Sequence, residues 1–129
     1  MMVLDASVVV DLLLRANADA LEERLLAPQE SWHAPYLLDL EVASALRRHT
    51  LAGAINHARG RQALIDFADM GITRYAHLDL LPRIWQLRGS VTAYDGAYVA
   101  LAEALEAPLL TRDRRLAQSS GHRAEIQLV

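Results

Sequence analysis

The sequence predicts an α/β protein in which helices cover both faces of a mostly parallel central sheet. Short apolar or alternating runs take turns with longer helical patterns along the 129 residues, and strands separated by helices are typical of crossover connections between parallel strands. Hydrophobic residues make up 53 % and charged residues 22 % of the chain, which is a globular composition. A chain of this length buries a substantial core, so we expect one domain over residues 1–129.

The individual elements follow from local patterns and end signals. Strands are expected at residues 2–4, 32–34, 72–75, 108–111 and 126–129. Helices are expected at residues 6–14, 18–27, 37–51, 54–70, 80–88, 93–106 and 113–118. The first helix is predicted although its consecutive valines, Val8 to Val10, favour a strand. Pro28 closes the second helix and Gly53 ends the third, whereas Pro82 is tolerated in a first helical turn and Thr92 is a favoured helix cap.

The residue types exclude several classes of function. Without cysteine, the chain has no disulfide framework, thiolate zinc site or iron–sulfur cluster. All 13 basic residues are arginines, so chemistry that needs a lysine is absent. The net charge of −3 argues against a purely electrostatic nucleic-acid binder. Asp5 and Asp11 interrupt the apolar N-terminus, and no apolar run is long enough to span a membrane, so we expect a cytoplasmic protein.

Four acidic residues stand where a carboxylate has little structural use. Asp5 and Asp113 follow the first and fourth predicted strands, and the carboxyl ends of parallel strands share one rim of a sheet. Glu41 and Asp95 border apolar helix faces, where a half-buried carboxylate needs a partner. Each residue also has an ordinary interpretation: a helix cap for Asp5 and Asp113, a solvated helix face for Glu41, and a favourable place in a first helical turn for Asp95.

Together the four acids indicate a metal site. Carboxylates that converge without cationic partners repel one another unless a divalent ion neutralises them, and oxygen ligands suit Mg²⁺ or Mn²⁺. Such a site activates water against a phosphodiester and supplies the positive charge that the chain lacks. Asp39 is the nearest rival of Glu41, but residues two apart on a helix point about 200° away from each other, so Asp39 ranks lower.

Four segments resemble the PIN-domain family, and more narrowly the VapC-type toxins of bacterial type II toxin–antitoxin systems. They are MVLDAS at residues 2–7, Glu41-Val42, TAYDGAYVALA at 92–102 and LTRDRRL at 110–116. The order and spacing cover the whole chain, although Gly96 stands where alanine is commoner. The resemblance implies a three-layer α/β/α fold and an endoribonuclease that depends on Mg²⁺ or Mn²⁺. It assigns catalysis and metal binding to Asp5, Glu41, Asp95 and Asp113, with Ser7 and Thr111 supporting them.

The resemblance also implies partners. Proteins of this type cleave structured RNA such as tRNA or rRNA, which inhibits translation and growth, and they commonly form homodimers. A cognate VapB-type antitoxin wraps the toxin and inserts a basic side chain among the acids, where its charge can replace that of the metal. Contact with DNA is expected only through the antitoxin. If the acids converge, Arg112, Arg114 and Arg115 would rim the site and bind RNA phosphates.

Two other interpretations compete with the nuclease. A PIN-like module without turnover would act through protein or RNA contact alone, and specific binding of Mg²⁺ or Mn²⁺ would argue against it. A haloacid-dehalogenase-like phosphatase also places an aspartate after a strand, as Asp5 is placed here. That chemistry requires a second aspartate at the position of Ser7 and a lysine, so it is disfavoured.

Overall fold

The chain folds around a five-stranded parallel sheet, as a computed structural model of residues 1–16 and 18–129 shows. The strands are β1 (Met2–Leu4), β2 (Trp32–Pro35), β3 (Ile72–Tyr75), β4 (Leu109–Thr111) and β5 (Ile126–Leu128). Their order in the sheet is β3-β2-β1-β4-β5, and each of the four pairings is parallel. The parallel sheet predicted from the alternating pattern is therefore confirmed.

Seven α-helices lie within the described residues. They are α1 (Ala6–Leu14), α2 (Asp19–Leu25), α3 (Leu37–Leu51), α4 (His57–Asp69), α5 (Leu81–Gln86), α6 (Ala93–Leu105) and α7 (Arg114–Ala117), and a 3₁₀ turn at Leu78–Leu80 precedes α5. Helices α1, α3 and α4 pack against one another, whereas α6 lies on β1 and β2 with α5 beside it. These two groups and the sheet form a three-layer α/β/α arrangement. No helix in the described ranges combines the length and apolar character that a membrane span requires.

Most predicted elements have the observed bounds within a few residues, and the differences have local causes. The helix expected at 54–70 begins only at His57, because the Asn56 side chain accepts a hydrogen bond from the backbone N–H of Arg59 and caps the helix there. The helix expected at 80–88 is a 3₁₀ turn followed by the shorter α5, with Pro82 in its first turn as predicted.

The core is built around β1. Its three residues are completely buried, because a central strand of a parallel sheet is covered on both faces and reads as a continuous apolar run. Val8 and Val9 of α1 are also fully buried, so tertiary packing overrides their preference for a strand. This arrangement fixes the end of β1 against the end of β4, with Leu4 beside Leu110 in the sheet.

Candidate active site at the carboxyl ends of the strands

Asp5 is held rigidly at the end of β1. It is only 8 % exposed, and its Oδ1 accepts a hydrogen bond of 2.9 Å from the backbone N–H of Ala6, which caps α1. Its Oδ2 accepts two more, each of 2.7 Å, from the hydroxyls of Ser7 and Thr111. The capping role and a site role are therefore compatible, since each carboxylate oxygen serves a different set of donors.

Backbone N–H groups orient the hydroxyls of Ser7 and Thr111. The Ser7 hydroxyl accepts a hydrogen bond of 3.0 Å from the N–H of Arg112, and the Thr111 hydroxyl accepts one of 3.0 Å from the N–H of Asp113. Each hydroxyl oxygen accepts a hydrogen bond from a backbone N–H, and each hydroxyl donates a hydrogen bond to Asp5. The ends of β1 and β4 are thus linked through Asp5, whose carboxylate accepts three hydrogen bonds.

Asp113 stands next to this linkage, two residues beyond β4. Its Oδ1 accepts hydrogen bonds from the backbone N–H groups of Arg115, at 2.8 Å, and Leu116, at 3.4 Å. It is therefore the N-cap of α7, while the residue itself is exposed. The helix cap therefore fixes the carboxylate at the rim of the sheet through Oδ1 alone, among the hydrogen bonds of the described residues.

Glu41 enters the site from α3 and is held by a tyrosine of α6. Its Oε1 accepts a hydrogen bond of 2.7 Å from the hydroxyl of Tyr98, which is completely buried. Burial, and then the nearby charges of Asp5 and Asp95, raise the pKa of Glu41, although the Tyr98 hydrogen bond opposes this. Burial and the Glu41 hydrogen bond also raise the pKa of Tyr98, so its hydroxyl stays protonated and remains a donor.

Tyr98 is the site residue that sequence reasoning missed. Its ring packs in the core, and its hydroxyl reaches Glu41 in the site. Its position three residues after Asp95 was the available signal, because residues at this spacing share one face of a helix.

Asp95 lies in the first turn of α6, where Thr92 caps the helix as predicted by accepting a hydrogen bond of 3.1 Å from the Asp95 N–H. Burial and the charges of Asp5 and Asp113 raise the pKa of the Asp95 carboxyl, and the positive charge of Arg115 partly offsets them. The half-buried carboxylate that lacked a partner in the sequence therefore faces other carboxylates.

The four predicted acids line one cavity of about 450 Å³. Asp5, Glu41, Asp95 and Asp113 come from four separate parts of the chain, so the structure places together what the sequence separates. Within residues 1–16 and 18–129, no three acidic or histidine side chains approach closely enough to form a complete ligand set. An open arrangement is what mutually repelling carboxylates should adopt, and an oxygen-only donor set fits Mg²⁺ or Mn²⁺.

The arginines predicted to bind RNA occupy three different positions. Arg112 lines the acid cavity, where its Nε lies 2.9 Å from Oδ2 of Asp11 and its Nη1 donates to the carbonyl of Val129. Arg115 lines an adjoining cavity, and Arg114 is exposed at the start of α7.

Asp39 lies outside this arrangement. Its carboxylate forms an ion pair of 2.6 Å with Arg74 of β3, and it does not line the acid cavity. The lower rank that its helical position gave it relative to Glu41 agrees with this placement.

A parallel α/β/α fold with carboxylates gathered at the strand ends is the architecture of PIN domains. The chain belongs to the PIN-domain family, whose model matches residues 2–121. Its relatives include Ribonuclease VapC12 of Mycobacterium tuberculosis, 44 % identical over 129 residues, with 100 % of this chain and 99 % of the relative covered. Ribonuclease VapC1 of the same organism is 46 % identical over 128 residues, covering 98 % of this chain and 96 % of the relative.

Solved structures share the fold at lower identity. VapBC2 from Rickettsia felis, bound to a DNA fragment from the promoter of the pair, gives a TM-score of 0.68 at 13 % identity, with 97 % of each chain covered. PAE2754 from Pyrobaculum aerophilum gives 0.72 at 23 % identity, with 97 % of this chain and 81 % of the other covered. The predicted three-layer fold and the predicted family are both confirmed.

Proposed function

We propose that this protein is a metal-dependent endoribonuclease, the toxin of a toxin–antitoxin pair, which hydrolyses RNA phosphodiester bonds and thereby inhibits translation and growth. The observation that carries the proposal is the cavity around which Asp5, Glu41, Asp95 and Asp113 gather. Relatives that cover nearly the whole chain are named ribonucleases, which supports the same activity. We propose that the substrate is a structured RNA such as tRNA or rRNA and that the protein acts in the cytoplasm.

The proposal includes a divalent cation, Mg²⁺ or Mn²⁺. Asp5, Asp95 and Asp113 would hold it, with Glu41 as a further ligand, directly or through water. A bound divalent cation lowers the pKa of water and stabilises negative charge on a leaving oxygen. The net charge of −3 makes such a cation the means by which an acidic cavity accepts an anionic phosphodiester.

Neighbouring side chains would hold the acidic residues in the orientation that cation binding requires. The hydroxyls of Ser7 and Thr111 hold the carboxylate of Asp5 in one orientation. Tyr98 fixes Glu41 from the core. Such supporting contacts commonly change metal affinity or activity by about 10–100-fold when they are removed.

Neutral substitutions of the acids test the activity. Asp5→Asn and Asp95→Asn should each lower the rate of Mg²⁺-dependent RNA cleavage by about 100-fold or more, because each removes a proposed ligand while keeping the shape of the side chain. Asp69→Asn is the matched control, since Asp69 is exposed at the end of α4. Full activity in both site variants would refute the assignment, and sequencing of the RNA ends would identify the substrate.

The alternative is a PIN-domain protein without turnover that acts by binding. Calorimetry distinguishes the two, because a functional site should bind Mg²⁺ or Mn²⁺ in the wild-type protein and lose that binding in Asp5→Asn. RNA binding without metal binding or cleavage would favour the alternative.

A VapB-type antitoxin is the proposed partner. A groove between α3 and α4 is lined by exposed Leu51 and Leu64, with Arg47 and Arg61 at its edges, and an exposed apolar groove marks a partner site. We expect co-expression with a small neighbouring reading frame to suppress toxicity.

We also propose that the protein forms a homodimer. Exposed apolar side chains on α5 and just before it offer a surface for this contact. Light scattering measures the oligomeric state.

A further inference from the structure

A second cavity adjoins the acid cavity on the side of α7. It has a volume of about 400 Å³ and lies between the segment after α5, residues 88–92, and α7. Asp95 and Asp113 line both cavities. These two acids therefore form a boundary that the two cavities share.

The second cavity differs from the first in its charge. Arg88 and Arg115 line it, together with Ser90 and Ser119. Within residues 1–16 and 18–129, neither arginine forms an ion pair with a carboxylate. Of the two arginines at the acid cavity, Arg112 is paired with Asp11, and Arg48 donates a hydrogen bond to the hydroxyl of Ser44. The second cavity therefore offers guanidinium groups to an anion.

The position of Arg88 is set by its neighbour on α5. Its guanidinium lies 4.5 Å from the centre of the Trp85 ring, and its Nη1 donates a hydrogen bond of 2.9 Å to the Trp85 carbonyl. A guanidinium has five N–H donors, so most of those of Arg88 remain for another acceptor. Arg115 is placed by its backbone hydrogen bond to Asp113, which fixes it beside the acids.

An RNA strand in the acid cavity brings more than one phosphate with it. The phosphate at the acids would be neutralised by the proposed cation, but its neighbour along the strand would still face the carboxylates of Asp95 and Asp113. Repulsion there opposes binding unless fixed positive groups meet that neighbour. Arg88 and Arg115 are the groups placed to do so on the α7 side.

We propose that the second cavity binds the backbone phosphate next to the scissile one, with Arg88 and Arg115 as its ligands. This inference rests on the proposed ribonuclease function and extends it to a subsite that positions the strand. The two arginines are positioning residues, so their loss should weaken RNA binding much more than it slows the bond cleavage of bound RNA.

The test pairs a charge on the protein with a charge on the RNA. Oligonucleotides spanning a mapped cleavage site carry one neutral methylphosphonate at each flanking position in turn. In the wild-type protein, neutralising one flanking phosphate should raise KM by about tenfold. Arg88→Gln and Arg115→Gln should each raise KM for unmodified RNA, with kcat little changed, and the variant that carries both substitutions should show no further loss with that methylphosphonate. Each lost phosphate contact should also lower the slope of log affinity against log salt by about 0.7.

Arg123→Gln is the matched control, since Arg123 is exposed between α7 and β5 and lines neither of the two cavities. It removes the same charge and should behave as the wild-type protein does. Additive losses from the protein and RNA changes, or an unchanged KM in both site variants, would overturn the proposal. If the wild-type protein cleaves no RNA, the proposed function fails separately. In that case, fluorescence anisotropy with short RNA oligonucleotides that carry one methylphosphonate at each position in turn still tests the subsite, because the same non-additivity is expected in Kd.

Discussion

Tyr98→Phe removes one hydroxyl from the core and leaves the ring that packs there. The lost contact is the hydrogen bond of 2.7 Å to Oε1 of Glu41. A hydrogen bond to a charged group contributes about 1.5–3 kcal/mol. With an unfolding entropy of about 2.1 cal/mol/K per residue, a chain of 129 residues loses about 4 °C of Tm per kcal/mol. The expected fall in Tm at pH 7 is therefore about 6–11 °C.

The pH dependence of this difference follows from the protonation of Glu41. Burial and the neighbouring acids raise its pKa in the folded protein. As the pH falls through that raised pKa, Glu41 becomes neutral and the hydrogen bond loses its charge assistance. The gap in Tm between the two proteins should therefore narrow in acid.

Calorimetric melting at pH 7 and in acid measures the stability, and cleavage of an RNA oligonucleotide measures the function. Tyr94→Phe is the control, since Tyr94 lies one turn earlier on α6 and is 63 % exposed. Loss of the Tyr98 hydroxyl should also lower kcat by about tenfold, because Glu41 is no longer held. Equal melting and equal kcat in both tyrosine variants would refute the role given to this contact.

Two further acids give predictions of opposite sign. Burial and neighbouring carboxylates raise the pKa of Asp95, so its charge destabilises the fold at pH values above that pKa. Urea unfolding at pH 7 should therefore show that Asp95→Asn is more stable than the wild-type protein. This difference should disappear in acid. Adding Mg²⁺ at tenfold its Kd should stabilise the wild-type protein by about 1.4 kcal/mol and leave Asp95→Asn unchanged. The hydrogen bonds from Arg83 lower the pKa of Glu103 to about 2, and the Glu103 side chain is only 4 % exposed. Glu103→Gln should therefore lose about 2–3 kcal/mol above pH ~4.5, a difference that disappears as the pH falls towards 2.

Local sequence patterns were sufficient to predict the elements that carry Asp5 and Asp95. The apolar run of β1 followed by Asp5 places a carboxylate at the carboxyl end of a central strand. Thr92 caps the start of α6, and Asp95 follows in the first turn of that helix, where its side chain lines the cavity. These features depend on neighbours within a few residues, where strand burial and helix capping act. The same local rules placed the ends of α1 and α3 correctly.

The contacts that prepare the acids were decided only by the tertiary structure. Tyr98 meets Glu41 across 57 positions of sequence, and Thr111 meets Asp5 across 106. The pairing of Arg112 with Asp11 is likewise invisible in a local pattern. The Thr111 contact depends on which strands are neighbours and on their register, because β1 beside β4 brings the two strand ends together. The Tyr98 contact depends on how α3 and α6 are placed relative to each other. The sequence by itself therefore determines which residues carry the charges, whereas the packing of sheet and helices determines which groups hold them in place.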